Sequence, residues 1–255
     1  MNKYISFLFL LLISLSCGSA GNKEQEADKK QQSLQQEQRL YTKSELMHRF
    51  KVIRSLEEGL KNPGEVIKLG LYEQDLKQVP PAIDTFKNIQ VLGLSRNQLS
   101  SLPPFIKEYK LLQEIHLGYN QFDTFPEVLY ECHELREIYF SDNRLQHISS
   151  KISRLTHLKG ISLNNNQLES LPASIGDLGK LETLGLGKNK LQSVPPEIGD
   201  LHYLKVLNLS FNQLTEIPGS ITRLSLKRLE LKGNPMEESY VQEVKKKMPG
   251  TKVEF

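Results

Sequence analysis

Apolar and polar positions repeat along most of the chain with a period of 23 residues, in eight consecutive units. The units begin at Val66, Ile89, Leu112, Leu135, Leu158, Leu181, Leu204 and Leu226. Asparagine holds one position of the pattern seven times, at Asn97, Asn120, Asn143, Asn166, Asn189, Asn212 and, one residue early, Asn234. Self-similarity at a fixed period is typical of repeat proteins, whose units stack and bury a common core. The pattern therefore predicts a solenoid of eight units.

Each unit opens with a short segment in which apolar and polar residues alternate, as they do in a half-buried β-strand. The apolar positions form two columns. The first is Leu69, Leu92, Ile115, Ile138, Ile161, Leu184, Leu207 and Leu229, and the second is Leu71, Leu94, Leu117, Phe140, Leu163, Leu186, Leu209 and Leu231. Equivalent strands of neighbouring units are predicted to pair in parallel, so that both columns face a shared core.

After each strand, the residue types predict a buried turn and a return segment. An asparagine amide has both donors and an acceptor, which can satisfy backbone groups that the turn frees. Proline then fixes φ, except in the fourth unit, where Ser149 replaces it and a local difference is expected. Apolar residues spaced three apart predict a short helical or 3₁₀ turn. Cys132 falls in one of these apolar columns, so we expect it to pack in the core rather than to react.

The fifth unit, residues 158–178, reads L-x-x-I-x-L-x-x-N-x-L-x-x-L-P-x-x-I-x-x-L. This pattern resembles the leucine-rich repeat, and its eight copies cover residues 66–234, which are 169 of the 255 residues. The resemblance implies an α/β solenoid with a curved parallel β-sheet on the concave side. Short helical or 3₁₀ turns are then expected on the convex side, with helical caps at both ends.

Amphipathic segments flank the repeats and are predicted to cover the ends of the solenoid, because terminal repeats would otherwise expose core. The N-terminal cap, residues 42–65, begins with Thr42 and Glu45 in the spacing of a capping box. One helical face is expected to carry Leu46, Phe50, Ile53, Leu56 and Leu60. In the C-terminal cap, residues 235–255, a helix is predicted near residues 237–248, followed by an extended segment in the last five residues.

The first 41 residues have the pattern of an export signal and a tether. Residues 1–16 combine a basic start with a 13-residue apolar run, which is the layout of a secretory signal peptide. Small residues before Cys17 resemble the lipobox of bacterial lipoproteins, which implies acylation of this cysteine and cleavage just before it. Ordinary cleavage after Ala20 is the alternative. Residues 17–41 are rich in Gln, Glu and Lys, so they are predicted to form a flexible, lipid-anchored tether.

Composition and motifs argue against catalysis and against nucleic-acid binding. The formal net charge is only +3, so no extended basic field favours DNA or RNA. The chain has only two cysteines, which excludes a cysteine-rich zinc site. Its sequence contains no motif of a nucleotide-binding loop, serine hydrolase, zinc protease or calcium loop. We therefore expect a protein that is not an enzyme and uses no cofactor.

The third, fifth and eighth positions of each unit are predicted to point outward and form a concave surface about 34 Å long. The fifth position is mostly Gly, Ser or Asn, but units three and four bring large aromatic and acidic side chains together. The predicted ligand-binding residues are Glu114, His116, Tyr119, Glu137, Tyr139 and Asp142. Tyrosine is enriched among residues that dominate binding energy. Two other interpretations are open: packing between large side chains on a solvated sheet, and a metal held by His116, Glu114 and Glu137.

The helical caps, the L-P-x-x-I return segments and the closing helix together resemble the exported leucine-rich-repeat proteins of pathogenic bacteria, several of which are predicted lipoproteins. The resemblance implies a binding protein at the bacterial outer membrane or cell surface, with a protein ligand and an adhesin-like role. We expect it to be monomeric and to reach the membrane through its lipid anchor. A secreted or periplasmic form is the alternative location. A structural envelope protein or an intracellular scaffold of the same fold is the alternative function.

Overall fold

The computed structural model describes residues 39–255. The predicted signal peptide at residues 1–16, the predicted acylation site Cys17 and nearly all of the predicted tether at residues 17–41 lie outside the described residues. Residues Leu40–Phe255 form one structural unit. No helix within residues 39–255 has both the length and the apolar composition needed to cross a bilayer.

Nine strands of three residues each pair in parallel, in sequence order, into one sheet of the described chain. The first eight are the alternating segments of the eight units. The strands are β1 Lys68–Gly70, β2 Val91–Gly93, β3 Glu114–His116, β4 Glu137–Tyr139, β5 Gly160–Ser162, β6 Thr183–Gly185, β7 Val206–Asn208, β8 Arg228–Glu230 and β9 Lys252–Glu254. Equivalent positions lie opposite one another, as Ile115 and Ile138 do between β3 and β4. The predicted solenoid with a parallel sheet is confirmed.

The return segments of units one to seven are 3₁₀ helices, which is one of the two forms that the spacing of three predicts. They span Pro81–Thr85, Pro104–Glu108, Glu127–Glu131, Ser150–Arg154, Ala173–Asp177, Pro196–Asp200 and Gly219–Arg223. In six of these seven units a proline precedes the turn and sets the backbone in an extended conformation, as at Pro172 with φ −71° and ψ 146°. The ring therefore directs the chain into the return segment without a side-chain cap.

The local difference expected at Ser149 is not observed. Ser149 has φ −70° and ψ 152°, close to the values of the prolines, and is followed by the same 3₁₀ helix. Its N–H, which a proline would lack, lies 3.3 Å from the hydroxyl oxygen of Tyr130 and donates to it. Its own hydroxyl accepts a hydrogen bond from the N–H of Lys151 at 3.3 Å. Hydrogen bonds here give the conformation that the proline ring gives elsewhere.

The two inward columns form the core, and each of their members is buried. This core is continuous from Val66 in the first unit to Met248 after the last. Cys132 belongs to it and is only 2% exposed. Burial raises the pKa of its thiol to about 12, so the thiol stays protonated and weakly nucleophilic near neutral pH. The predicted packing role of Cys132 is confirmed.

Each asparagine of the repeat pattern links two neighbouring units. The amide nitrogen of Asn166 donates to the carbonyl oxygen of Leu163 in its own unit at 3.0 Å and to that of Phe140 in the preceding unit at 3.1 Å. Its amide oxygen accepts the N–H of Leu145 at 3.0 Å. The same three bonds recur at Asn97, Asn120, Asn143, Asn189, Asn212 and Asn234. The predicted asparagine ladder is present and buried.

The eighth position of every unit has a left-handed backbone, a feature that the sequence pattern does not predict. We call these residues the left-handed row: Glu73, Arg96, Tyr119, Asp142, Asn165, Lys188, Phe211 and Gly233, with φ between 52° and 74°. The prediction that they are outward strand positions is wrong, because each strand ends three residues earlier. Positive φ bends the chain out of the strand, and the next residue is the buried ladder asparagine, except in the first unit, where it is Gln74.

At the N-terminal end the structure has two short helices where one was predicted. Helix α1 spans Lys43–His48 and α2 spans Leu56–Lys61. The capping box of Thr42 and Glu45 is present. Between the helices, Ile53 runs parallel to β1, where its N–H donates to Lys68 and its carbonyl oxygen accepts from Gly70. These bonds satisfy the free edge of the sheet, which a continuous helix cannot do. Leu60, expected on a buried face, is 45% exposed.

At the C-terminal end a helix and a strand occupy the predicted positions. Helix α3 spans Glu238–Lys247 and buries Val241 and Val244. Strand β9 then pairs with β8, placing Val253 opposite Leu229. The last strand therefore extends the sheet beyond the repeats themselves.

Candidate ligand-binding face

A row of aromatic rings crosses strands β1 to β4 on the concave side of the sheet. The rings of His116 and Tyr139 are stacked, with centroids 4.5 Å apart and an interplanar angle of 19°. The ring of Tyr72 meets His116 edge-on, with centroids 6.2 Å apart. We call Tyr72, His116 and Tyr139 the aromatic stack. Both arrangements are ones that aromatic quadrupoles favour.

Two glycines make room for Tyr72, which is not among the predicted site residues. A Cβ on Gly93 would lie 2.0 Å from the Tyr72 side chain, and a Cβ on Gly70 would lie 2.5 Å from it. The tyrosine therefore lies flat against the backbone of β1 and β2. Tyr72 holds the seventh position of its unit, which continues the outward alternation of the third and fifth. Extending the alternation by one step would have identified it.

Glu114 and His116 form a hydrogen-bonded pair on β3. The Nε2–H of His116 donates to a Glu114 carboxylate oxygen at 2.7 Å, and both side chains are partly exposed. Burial alone raises the pKa of Glu114, but the hydrogen bond from His116 and the charges of Lys43 and Lys68 outweigh it and hold this pKa below its usual value. Glu114 is therefore a carboxylate at neutral pH and fixes the orientation of the His116 ring.

Glu137 on β4 forms an ion pair with a residue of the N-terminal segment, a contact that the sequence pattern does not predict. The ammonium group of Lys43 in α1 lies 3.1 Å from Glu137 Oε1. The hydrogen bond to Glu137 raises the pKa of Lys43. A second contact joins Lys68 Nζ to the carbonyl oxygen of Leu46 at 3.0 Å. Leu46 also packs in a small cluster that comprises Tyr41, Leu46, Phe50, Ile67 and Val91. Helix α1 therefore covers part of the concave side of units one to four.

Tyr119 and Asp142, the two other predicted residues, lie in the left-handed row and not on the strands. Tyr119 is 52% exposed, and the Arg96 guanidinium lies 4.6 Å from its ring centroid. Asp142 accepts a hydrogen bond from the amide of Asn165. The structure thus brings Glu114, His116, Glu137 and Tyr139 together on β3 and β4. It places the remaining pair just beyond the C-terminal ends of these strands.

A recess follows the aromatic stack along the concave side of units four to eight. We call it the concave groove; its volume is about 250 Å³. Its outward lining residues are Glu137, Tyr139, Gly160, Ser162, Asn164, Thr183, Gly185, Val206, Asn208 and Glu230. The floor is low because Gly160, Ser162, Thr183 and Gly185 are small. The sequence shows these small residues, but only the structure shows that they form a recess beside Tyr139.

The residues considered for a metal site are engaged with one another and with Lys43. His116 donates to Glu114, and Glu137 accepts from Lys43. Within residues 39–255, no three His, Cys, Asp or Glu side chains are grouped so that they could hold a metal ion. The metal interpretation therefore has no support from the geometry of this face.

Comparisons with known proteins agree with the fold. A family model described as a leucine-rich repeat region matches residues 128–247. A leucine-rich-repeat protein of Leptospira interrogans is 34% identical, with a TM-score of 0.61; the match covers 73% of this chain and 54% of that one. An internalin of Listeria monocytogenes is 22% identical, with a TM-score of 0.64 and coverage of 80% and 58%. No curated protein sequence matches the chain.

A plant structure has the same fold. It is the leucine-rich-repeat ectodomain of a membrane receptor kinase from Arabidopsis thaliana, in complex with CASPARIAN STRIP INTEGRITY FACTOR 2. It is 26% identical, with a TM-score of 0.58, and the match covers 68% of this chain and 22% of that one. The chain spans somewhat more than half of the two bacterial structures, at 54% and 58% of their lengths. The repeats, the asparagine ladder and these matches together show that the chain is a solenoid built of leucine-rich repeats.

Proposed function

We propose that this chain is a non-catalytic binding protein whose protein ligand lies across the concave face, centred on units three and four. The observation that carries the proposal is the grouping of ring faces and carboxylates on β3 and β4. Tyr139 is 37% exposed beside Glu137, and it stacks on His116, which is bound to Glu114. Interfaces concentrate their binding energy in a few such residues, with tyrosine among the commonest.

The aromatic stack supports this role because its rings are held in place before a ligand arrives. Tyr139 is backed by His116, and the His116 ring is fixed by Glu114. A side chain that already has one conformation loses little entropy on binding. Cross-strand packing on a solvated sheet accounts for the same stack without any ligand. The two explanations differ in whether loss of Tyr139 weakens binding.

The similar structures add support from the family. The Arabidopsis ectodomain belongs to a membrane receptor and was solved in complex with another molecule. The concave sheet of the present chain has the length to contact a protein, because eight strands at about 4.8 Å spacing span about 34 Å. A contact of this size matches the roughly 800 Å² that each partner contributes to a standard protein interface.

For the location, we propose export and a lipid anchor at Cys17, at the bacterial outer membrane or cell surface, with the protein as a monomer. The support is the signal-peptide layout of residues 1–16 and the small residues before Cys17. The adhesin-like role is part of this proposal because the repeats and caps resemble those of exported leucine-rich-repeat proteins of pathogenic bacteria. The mass of the native protein distinguishes the alternatives: an acylated chain starting at Cys17, a secreted or periplasmic chain starting at Gly21, or the uncleaved chain that an intracellular scaffold requires.

The experiment for the ligand is a pull-down of extracellular proteins with the purified protein, followed by titration of variants against the partner obtained. Tyr139→Ala is expected to weaken binding by about 2 kcal/mol or more, which is about thirtyfold in Kd. The matched control is Tyr203→Ala, because Tyr203 is 67% exposed and lies outside the strands. Both variants should melt close to the unchanged protein. If the Tyr139 variant binds the partner as tightly as the unchanged protein does, the binding site is not centred on units three and four.

A further inference from the structure

The concave groove begins at Tyr139, whose ring separates the groove from the other rings of the aromatic stack. On the β3 side of this ring stands His116, with the centroids 4.5 Å apart and the ring planes nearly parallel. The opposite face of Tyr139 is therefore turned toward β5, where the groove begins over Gly160 and Ser162. One wall of the groove is thus the free face of the Tyr139 ring, whose other face is held by His116.

The carboxylate of Glu137 occupies the space above Gly160. A Cβ on Gly160 would lie 2.1 Å from Glu137 Oε2 and 2.9 Å from the hydroxyl oxygen of Thr183. The other oxygen, Oε1, is held by Lys43 at 3.1 Å. Lys43 therefore orients the carboxylate, and Oε2 is the oxygen that faces into the groove. Glycine at position 160 is what makes this placement possible.

The charge of the groove favours a cation. Among its lining residues only Glu137 and Glu230 carry a charge, and both are carboxylates. They stand on β4 and β8, about 19 Å apart at four strand spacings, so they are two separate acceptors rather than one acidic cluster. Each carboxylate has one cationic partner, Lys43 for Glu137 and Arg228 for Glu230, but only Glu137 stands on the same strand as Tyr139 and is the acceptor beside the aromatic wall.

The size of the groove suits one side chain of a larger partner. Pockets that enclose a whole small molecule commonly measure about 300–1,000 Å³. The groove has about 250 Å³ and is open along its length. An extended side chain can enter it while the rest of its chain stays on the surface of the sheet.

We propose that the concave groove binds an arginine side chain of the protein ligand, whose guanidinium stacks on Tyr139 and donates to Glu137 Oε2. The inference rests on the proposed function, since it identifies the group by which a concave-face ligand is anchored. Arginine fits better than lysine because its planar guanidinium is weakly hydrated, stacks on aromatic rings and forms directed hydrogen bonds to carboxylates.

The test is an NMR titration of the ¹⁵N-labelled full-length protein with three blocked tripeptides, acetyl-Gly-X-Gly-amide, in which X is arginine, lysine or citrulline. Citrulline has nearly the shape of arginine without its charge. The arginine peptide is expected to give saturable shifts at the amides of Gly160, Ser162, Thr183 and Gly185. Its apparent Kd should be about threefold or more below that of the lysine peptide, and citrulline should give no saturable shift.

Two alanine variants form a matched pair for this titration. Gly160→Ala puts a methyl group where the Glu137 carboxylate lies. This variant is expected to raise the Kd of the arginine peptide about tenfold or more. Gly179→Ala adds the same methyl group at a position with no atom within 4 Å, and the affinity should stay unchanged. Absent groove shifts, equal shifts with citrulline, or an unaffected Gly160 variant would overturn the arginine site. If the affinity for the partner still falls in the Tyr139 variant, the proposed function stands although the arginine site does not.

Discussion

Single amide side chains connect neighbouring repeats at the point where the chain leaves the sheet. Asn120 donates to the carbonyl oxygens of Leu94 and Leu117, each at 3.0 Å, and accepts the N–H of Leu99 at 2.9 Å. These backbone groups are buried, where an unpaired polar group is unfavourable by about 1–3 kcal/mol. At the residue scale, the ladder therefore stabilises the fold by satisfying backbone groups that the left-handed turn leaves without partners.

We expect Asn120→Ala to lower the free energy of unfolding by about 1–3 kcal/mol, because the buried N–H of Leu99 loses its acceptor and the carbonyl oxygens of Leu94 and Leu117 each lose one of two asparagine donors. Chemical denaturation measured by circular dichroism gives this value. The control is Gln121→Ala, which changes the neighbouring exposed amide and should stay within about 0.5 kcal/mol of the unchanged protein. Equal stability of the two variants would mean that the ladder is not required in the core.

At the scale of elements, the 3₁₀ helices of the convex side pack at unequal distances. A Cβ on Gly176 would lie 2.4 Å from the backbone oxygen of Glu197 in the next 3₁₀ helix. The equivalent position in the third unit is Tyr130, which stacks on Phe125 with ring centroids 5.0 Å apart. Glycine thus lets neighbouring turns touch through their backbones in units five and six, whereas an aromatic side chain fills the same place in unit three.

We expect Gly176→Ala to destabilise the protein by about 1–3 kcal/mol, because the added methyl group meets backbone atoms that cannot rotate away. A thermal melt measures the effect as a lower Tm. Gly219→Ala is the matched control, since it lies in another 3₁₀ helix and a Cβ there has no atom within 4 Å. That variant should melt at or slightly above the unchanged protein, as Gly→Ala changes do where the backbone permits them. The same loss in both variants would exclude close turn packing as the cause.

At the scale of the whole molecule, the solenoid is one continuous core with a smaller cluster under α1. The larger core runs through all repeats, and the cluster of Tyr41, Leu46, Phe50, Ile67 and Val91 joins the N-terminal segment to the first strands. The last residues of the predicted tether therefore belong to the folded part. Neither cluster, as described for residues 39–255, includes the proposed anchor residue Cys17, so the anchor can be tested without changing a side chain of this core.

We expect labelled palmitate to mark the protein in growing bacterial cells and Cys17→Ala to abolish the label. The chain has one other cysteine, which provides the control. Cys132 is buried and its pKa is raised to about 12, so Cys132→Ala should keep the full label. An unlabelled protein that starts at Gly21 would contradict the lipid anchor and favour the secreted form.

The fold was predictable to the extent that each element is local to one repeat. The alternation around Ile138 and the 23-residue period are enough to place the strand, its partner and its buried face. The turn conformation was not, because Tyr119 and Phe211 are residues that seldom have positive φ. Their conformation is imposed by the neighbouring repeats and not by their own preference.

The candidate site was predictable only in part, because it depends on contacts between distant segments. Glu114, His116, Glu137 and Tyr139 meet on adjacent strands, and the repeat register alone predicts that meeting. The ion pair of Lys43 with Glu137 joins residues 94 positions apart, and no periodicity connects them. The lining of the groove likewise depends on the conformation of the Glu137 side chain, whose carboxylate lies over Gly160.

The left-handed row has a consequence for how new binding surfaces can arise on this scaffold. Its eight positions hold eight different residue types, namely Glu, Arg, Tyr, Asp, Asn, Lys, Phe and Gly, on nearly the same backbone conformation. Seven of these residues keep positive φ although they are not glycine, and in units two to eight the next residue is a buried ladder asparagine that holds the turn. Substitution there changes surface chemistry while the core stays as it is. Residues of the left-handed row can therefore be substituted one repeat at a time, which would change the ligand specificity of the surface while the fold stays the same.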